Sequence, residues 1–429
     1  MASPSRVLAL DVLCRLEGPR GTLADALARP AIATLEPRDR ALVHELVLGT
    51  LRRRGWLDHV LSRLVDKRGQ SLSPAVRNAL RLGAYQLLYL RVATHAAVSE
   101  SVELVRPEAP RACGLVNAVL RRLLREGPPP DPDPLREPLA WLRTAGSLPA
   151  WLAERWLSRL GAVSAVGRAR VLLEAAPTHF RFHPRRPEGP ARVAAVGLEA
   201  RPATVPGAWT IEGGGELGAL AAAGLVYVQD QGSQLVAHLA ASEGLVLDAC
   251  AAPGGKSLLL ADLGGPGALV IAVDSSKRRL RTLVALRARW DVPNVLAVAA
   301  DSMRPPFRGS FDSVLLDAPC SGLGTLARNP DIRWRLRPSD IERHAARQRA
   351  LLRALAPLVR AGGSLVYSTC SVEDEENGDV VGPFLEAHPE FSCLDLPRWA
   401  DPFREGSQVR MDPGRHRGDA FFAARLLRS

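Results

Sequence analysis

Along the first 126 residues, apolar positions recur at three- and four-residue spacing, a period that predicts helices. The segments are 5–16, 39–53, 56–65, 74–90, 98–105 and 112–125. Pro74 stands where a helix accepts proline, at its first position. In the last segment Leu115, Val116, Val119, Leu120, Leu123 and Leu124 form one apolar face, opposite Arg121, Arg122 and Arg125. From Leu245 the pattern changes. Apolar runs without alternation, the mark of strands buried on both faces, predict strands at 245–248, 269–274, 295–301, 313–317, 364–369 and 420–425. Helical segments lie between most of them, at 256–263, 277–290, 338–359 and 377–387, the third started by a Ser339/Glu342 capping box. Such alternation means a doubly wound, mostly parallel α/β sheet.

Between these regions, 127–138 is a proline-rich linker, GPPPDPDPLREP, stiff rather than floppy. Helices at 149–160 and 165–174 and strands at 179–183 and 209–211 then suggest a small α/β module. A strand at 225–229 leads into a helix at 233–241. The expected division is 1–126, 127–146, 147–222 and 223–429.

Charge narrows the partner. Lys and Arg number 56 against 45 Asp and Glu, a net charge of +11, which favours a polyanion, most simply nucleic acid. Arginine bias contributes, because the lysines are only Lys67, Lys256 and Lys277. Aromatic content of 5% argues against a broad base-stacking platform. The six cysteines form no CxxC pair, so no zinc ribbon and no metal are expected. No apolar run is long enough to span a bilayer, and the expectation is a cytoplasmic monomer with free thiols and no evident protein partner.

Four successive strands end in an acid: Asp248, Asp274, Asp301 and Asp317. Right-handed crossovers put all four at the carboxyl edge of the sheet, where ligands bind. Such a pocket repels phosphate and suits a ribose diol, an amine and an ammonium or sulfonium. After the first strand, Asp248 is followed by Ala249, Cys250, Ala251, Ala252, Pro253, Gly254, Gly255, Lys256 and Ser257. The glycines let a ligand approach backbone at a helix N-terminus. A P-loop reading of GGKS fails, since neither Ala251 nor Cys250 is the earlier glycine it needs. Lys256 offers a point charge for a ligand carboxylate. Cys320 in DAPCSG and Cys370 in YSTCS end neighbouring strands. A disulfide, a metal pair, an inert buried pair and a nucleophile with a helper are all open. A thiolate nucleophile fits best beside an acidic pocket for a cationic methyl donor. The basic, Trp334-bearing segment 328–337 follows, and is expected to touch RNA.

DACAAPGGKS, DAPCSG and YSTCS together resemble the RNA cytosine-5 methyltransferases of the Sun family. With the helical front and its VNAVLRR run at 116–122, the chain is similar to the bacterial Sun/Fmu branch over nearly its whole length. The resemblance implies a Rossmann-like class I methyltransferase sheet behind a NusB-like RNA-binding domain. It implies S-adenosylmethionine held by Cys250, Ala251, Ala252, Pro253, Gly254, Gly255, Lys256, Asp274, Asp301 and Asp317. It also implies Cys370 as nucleophile, Cys320 as helper in product release, and Asp317 as the acid or donor at cytosine N3. Small-subunit ribosomal RNA is the expected partner. Transfer RNA, a DNA base, or a non-catalytic RNA-binding role are the alternatives. One departure is Gly418-Asp-Ala-Phe-Phe422, where the family has Asp-Gly-Phe-Phe.

Overall fold

The structure, a computed structural model, describes residues 2–18, 21–65, 72–212, 217–416 and 418–429. It separates into two compact units, 1–175 with 326–335 and 176–325 with 336–429. This differs from the expected boundaries. The proline-rich linker lies inside the first unit, because the Pro138–Arg143 helix after it packs on Ala150–Val171.

The first unit is helical throughout its described residues. Pro4–Leu16, Pro37–Arg52, Arg54–Leu64, Pro74–Tyr89, Thr94–Val105 and Cys113–Glu126 match the periodic segments within a few residues. Two one-turn helices, Leu23–Leu27 and Pro30–Ala33, were too short to show a period. Apolar faces meet at Val12, Val43, Val47, Leu80, Leu82, Val116 and Leu120, all buried. Leu124 is instead exposed, and Arg122 and Arg125 pair with Glu126. Helix packing is close enough that a Cβ on Gly83 would come within 2.5 Å of Leu120.

The ten residues Leu326–Arg335 belong to this unit although their chain neighbours belong to the other. Arg333 is fully buried and donates to the carbonyls of Ser147 (3.2 Å), Leu172 (3.3 Å) and Leu326 (3.2 Å). Trp334 Nε1 donates to the Leu51 carbonyl at 3.0 Å, and the Arg54 guanidinium stacks 4.9 Å from its ring. The expectation that 328–337 is an RNA-facing loop therefore fails for its centre. Backbone carbonyls, not phosphates, take the charge of Arg333.

The second unit holds two sheets. A small antiparallel one has strands β1 (Thr178–Phe182), β2 (Arg201–Pro202), β3 (Ala208–Ile211) and β4 (Val226–Val228) in the order β2–β3–β1–β4. The larger one is built from β5 (Leu245–Asp248), β6 (Leu269–Asp274), β7 (Val295–Ala299), β8 (Phe311–Asp317), β9 (Val359–Thr369), β10 (Phe391–Cys393), β11 (Arg404–Glu405), β12 (Gln408–Met411) and β13 (Phe421–Arg428). Its order is β11–β12–β13–β9–β8–β5–β6–β7, with β10 on β13. The five strands from β7 to β9 are parallel and β13 is antiparallel to β9. Strand order reverses between β5 and β8, the place where such sheets open a ligand crevice. Both faces are buried: Val246, Leu315 and Val366 point to one core, Leu247, Val314, Leu316 and Leu365 to the other. That is why their strands read as unbroken apolar runs. The helix Pro338–Leu355 starts two residues earlier than the Ser339/Glu342 box implies, with Arg337 at the N-cap. Pro338 takes the first helical position, and Asp340 accepts the Arg337 N–H at 2.9 Å.

Arg333→Ala leaves three carbonyls unpartnered in a dry site and opens a cavity. It is expected to cost about 3 kcal/mol or more, read as a lowered urea midpoint. An unchanged midpoint would mean that Arg333 is not part of the core of the first unit.

Candidate active site

The loop after β5 turns hard and then starts a helix, Gly255–Gly264. Gly254 makes the turn with φ +113°, a conformation closed to most side chains, and a Cβ there would lie 2.8 Å from Leu283. Gly255 is equally confined, 2.8 Å from Tyr227 for a Cβ. The loop is tied from below. Ala249 N–H donates to Leu315 O at 2.9 Å and Ala251 N–H to Val273 O at 2.8 Å.

A pocket of about 210 Å³ opens above it, lined by Tyr227, Gln229, Asp230, Asp248, Cys250, Ala251, Ala252, Pro253, Gly255, Lys256 and Asp317 among others. Most of the expected cofactor residues thus come together. Asp274 and Asp301 do not line it. Asp274 is buried behind the loop, where it accepts from the Ala252 and Ser276 N–H groups at 3.3 and 2.8 Å and pairs with Arg279 at 3.3 Å. Asp301 lies beyond the end of β7, exposed, and accepts the Met303 N–H at 3.0 Å. Sequence reasoning missed the β4 side of the pocket. The signal was there in Gln229-Asp-Gln231, three polar residues at a strand-to-helix junction. Asp230 caps the following helix through the Gly232 N–H at 2.8 Å.

Burial sets the charges. Asp248 is 1% exposed, and its Oδ2 accepts from Ser257 Oγ at 2.7 Å. Desolvation outweighs that bond and pushes its carboxyl up to about 7. Burial likewise pushes the Cys250 thiol up to about 12, so this cysteine is a neutral wall. Lys256 is deeply buried, which works against its charge. Asp317, 2.7 Å away, outweighs the loss and raises it, with Cys370 contributing in the same direction. The second Asp317 oxygen accepts from Ser368 Oγ at 2.9 Å.

The two thiol loops follow from strand register. Asp317 of β8 stands opposite Ser368 of β9, and Ala318 N–H donates to Ser368 O at 2.8 Å. Three residues past the one and two past the other, Cys320 Sγ and Cys370 Sγ lie 3.1 Å apart. All six cysteines are free thiols, so no disulfide joins the pair. The hydrogen bond to Cys370, then burial, push the Cys320 thiol well above its ordinary range. Gly324 clamps the arrangement: its N–H donates to Cys370 O at 2.9 Å and its carbonyl accepts from Ala420 N–H at 2.8 Å. The departing Gly418-Asp-Ala-Phe-Phe422 stretch thus still joins the site. Phe421 places its ring 5.6 Å from Lys256 Nζ.

Comparison with known proteins finds two family matches along the chain. Residues 236–427 match the family described as 16S rRNA methyltransferase RsmB/F, and residues 3–125 match the NusB family. The probable ribosomal RNA small subunit methyltransferase B of Bacillus subtilis is 33% identical, with 97% of each chain covered. The ribosomal RNA small subunit methyltransferase B of Vibrio cholerae is 33% identical, over 91% of this chain and 90% of that one. Among solved structures, that of PH0851 superposes over 100% of this chain and 99% of its own, with TM-score 0.83 and 27% identity.

Gly324→Ala tests the clamp. Its Cβ would sit 2.6 Å from Ala420 O and 2.7 Å from Cys370 O, backbone atoms that no rotamer change can move aside. The expected result is a loss of about 1–3 kcal/mol in stability. Oxidation of the Cys320–Cys370 pair by diamide should also slow. Wild-type behaviour in both would show that the loop accommodates a side chain and does not set the sulfur spacing.

Proposed function

We propose, given that the chain belongs to the RsmB/F family of 16S rRNA methyltransferases with an N-terminal NusB domain, that it methylates C5 of a cytosine in small-subunit ribosomal RNA. The donor in this reading is S-adenosylmethionine, and Cys370 is the nucleophile. The observation that carries it is the 3.1 Å contact between Cys320 and Cys370 beside the Lys256–Asp317 pair and the pocket.

The pocket fits the donor. Neither Asp248 Oδ1 nor Gln229 Oε1 has a hydrogen-bond partner among the described residues, although both are buried. Two orphaned acceptors facing one cleft call for a donor such as an ammonium. When bound, S-adenosylmethionine supplies a methyl group on a positively charged sulfur. Lys256 and the amide end of the Gly255–Gly264 helix favour its carboxylate. Asp274, in this reading, secures the loop and not the ligand directly.

Cytosine C5 is a weak nucleophile. Addition of the Cys370 thiolate to C6 forms a C–S bond and moves the C5–C6 π pair onto C5, which becomes the methyl acceptor. Lys256 favours the anionic sulfur by charge, and Cys320 by hydrogen bonding. Once C5 has taken the methyl, its proton passes to solvent water, the C5–H electron pair restores the C5–C6 double bond, and the C–S bond breaks. The departing Cys370 sulfur carries the electron pair away, and the proton held on Cys320 stabilises it as a leaving group. Asp317 orients Lys256, and the two together are the groups available to cytosine N3. A base must leave its stack to reach thiols at a sheet edge, which favours single-stranded or loop RNA.

A denaturing gel separates the thiol roles. Cys320→Ala, incubated with small-subunit ribosomal RNA and S-adenosylmethionine, is expected to give a heat-stable protein–RNA band, and Cys370→Ala none. The reverse pattern would exchange the two roles. No band with either, alongside tight RNA binding, would favour another RNA or a binding module.

The pocket also predicts a pH effect. The native Asp248 carboxyl titrates near 7 against 3.8 for an ordinary one. Between these values the native state holds a proton that the unfolded state has lost. The contribution of Asp248 to the stability of the unliganded protein therefore rises as pH falls from 8 to 6. An ammonium ligand wants the opposite, charged form. S-adenosylhomocysteine should thus bind about tenfold more weakly at pH 6 than at pH 8, with near one proton released at pH 6. Asp248→Asn should bind weakly with no such slope in calorimetry. A flat profile in the wild type would remove Asp248 from the ligand site.

A further inference from the structure

Glu376 is completely buried and takes no part in the chemistry above. It lies in the Asp374–Glu376 turn, six residues past Cys370, and every group around its carboxylate is a donor. Oε1 accepts from Ser321 N–H at 2.8 Å and Gln348 Nε2 at 3.1 Å. Oε2 accepts from Ser321 Oγ and Ser371 Oγ, each at 2.5 Å. Ser321 follows Cys320 and Ser371 follows Cys370. One carboxylate therefore grips both thiol loops at the residue next to each sulfur, and the two hydroxyls lie 3.1 Å apart.

The surroundings make the grip stiff. Gln348 Nε2 also donates to Pro319 O at 3.1 Å, reaching the other neighbour of Cys320. Asn377 donates to Ser371 O at 3.1 Å and accepts from Thr369 Oγ1 at 2.6 Å. The Glu376 carbonyl accepts from Tyr367 OH at 2.5 Å, fixing the turn to β9. Strand register alone does not determine the sulfur spacing, because Cys320 and Cys370 both stand beyond the ends of β8 and β9. Something must hold the two overhanging loops together. Charge-assisted bonds to a dry carboxylate are among the stronger ways to do so.

We propose that Glu376 is a positioning residue: its carboxylate, bridging Ser321 and Ser371, holds the Cys320 and Cys370 sulfurs at reacting distance. This deepens the reading of the pair as nucleophile and helper, and rests on it. Glu376 touches neither base nor donor. It acts through the two serines, and misplacement by about 1 Å costs on the order of 10²-fold in rate.

Three measurements on Glu376→Gln and Ser371→Ala test it. The first is kcat and KM for methyl transfer to small-subunit ribosomal RNA. The second is the affinity for S-adenosylhomocysteine. The third is the rate at which diamide, taking up two electrons and two protons, joins Cys320 to Cys370 in the protein alone. Glu376→Gln keeps the shape but turns an amide N–H₂ toward donors. It is expected to lower kcat about 10- to 100-fold with KM and ligand affinity unchanged, and to slow disulfide formation by a similar factor. Ser371→Ala, which removes one arm, should fall between it and the wild type. A merely structural glutamate would lower the melting temperature yet leave kcat per folded molecule and the diamide rate alone, and that result would overturn the proposal. The diamide arm needs no RNA. Inactive wild type with a normal thiol coupling rate would defeat the functional reading, whereas active wild type with unaltered variants would defeat only the role of Glu376.

Discussion

The parallel pairing of β8 with β9 is the constraint on which the site depends. With Asp317 opposite Ser368, both chains leave the sheet at the same level and on the same edge. The loop after β5 leaves one strand away, since Asp248 stands opposite Leu315. Three loops from three neighbouring strands therefore converge without any long-range adjustment. Register in a doubly buried sheet is expensive to slip, because one residue of shift would exchange the two cores. The irregularity between Phe311 and Ser313 is kept to the opposite end of the pair, around Gly362 with φ +70°. Beyond the carboxyl ends, precision passes from the sheet to side chains. Gly324 and the Glu376 network then do for the loops what the ladder does for the strands.

Charge at this edge is managed by burial as much as by pairing. Asp248, Lys256 and Asp317 sit within one pocket wall, yet only Lys256 and Asp317 satisfy each other directly. Asp248 keeps one oxygen, Oδ1, without a partner among the described residues, which is costly in a dry site until a ligand meets it. The thiols divide in the same way. Cys250 and Cys320 are pushed toward the neutral form by their surroundings, while Lys256 lies within electrostatic reach of Cys370. An edge built from similar residues thus acquires different roles from environment alone.

Much of this was legible in the chain. Helix and strand positions follow from the two periods, and the loops that carry Cys250 to Lys256, Asp317, Cys320 and Cys370 stand out in the sequence as strand-end motifs. Asp274 and Asp301 stand outside the pocket lining for a physical reason. A strand-end acid is equally suited to a ligand and to the backbone N–H groups of its own turn, and spacing does not distinguish them. Glu376 was invisible for the opposite reason. It lies in a run of five polar residues, Glu373–Asn377, that reads as a solvated turn. Only the converging donors from two other loops reveal that it is buried. Tyr227 lies in a strand of three residues, too short to show which face meets a ligand, and Gln229 follows just beyond its end.

The segment Leu326–Arg335 shows the same ambiguity and resolves it further. Three arginines beside a tryptophan read as a nucleic-acid contact, because charge and an aromatic ring are what phosphates and bases require. The same chemistry serves a protein interior. A guanidinium has five donors in a fixed plane, and the three carbonyls around Arg333 take up most of them while the chain makes a turn that lacks its own ladder. Burying that charge lowers the Arg333 guanidinium to about 9, still high enough to remain a cation at neutral pH. A basic segment in sequence is therefore evidence for demand on donors, and the source of that demand depends on whether carbonyls or phosphates lie within reach. Here the segment begins two residues after Gly324, which is bonded to Cys370. Within two residues the chain thus passes from a backbone bond that steadies a thiol loop to a buried guanidinium that satisfies carbonyls, and composition alone does not tell the two demands apart.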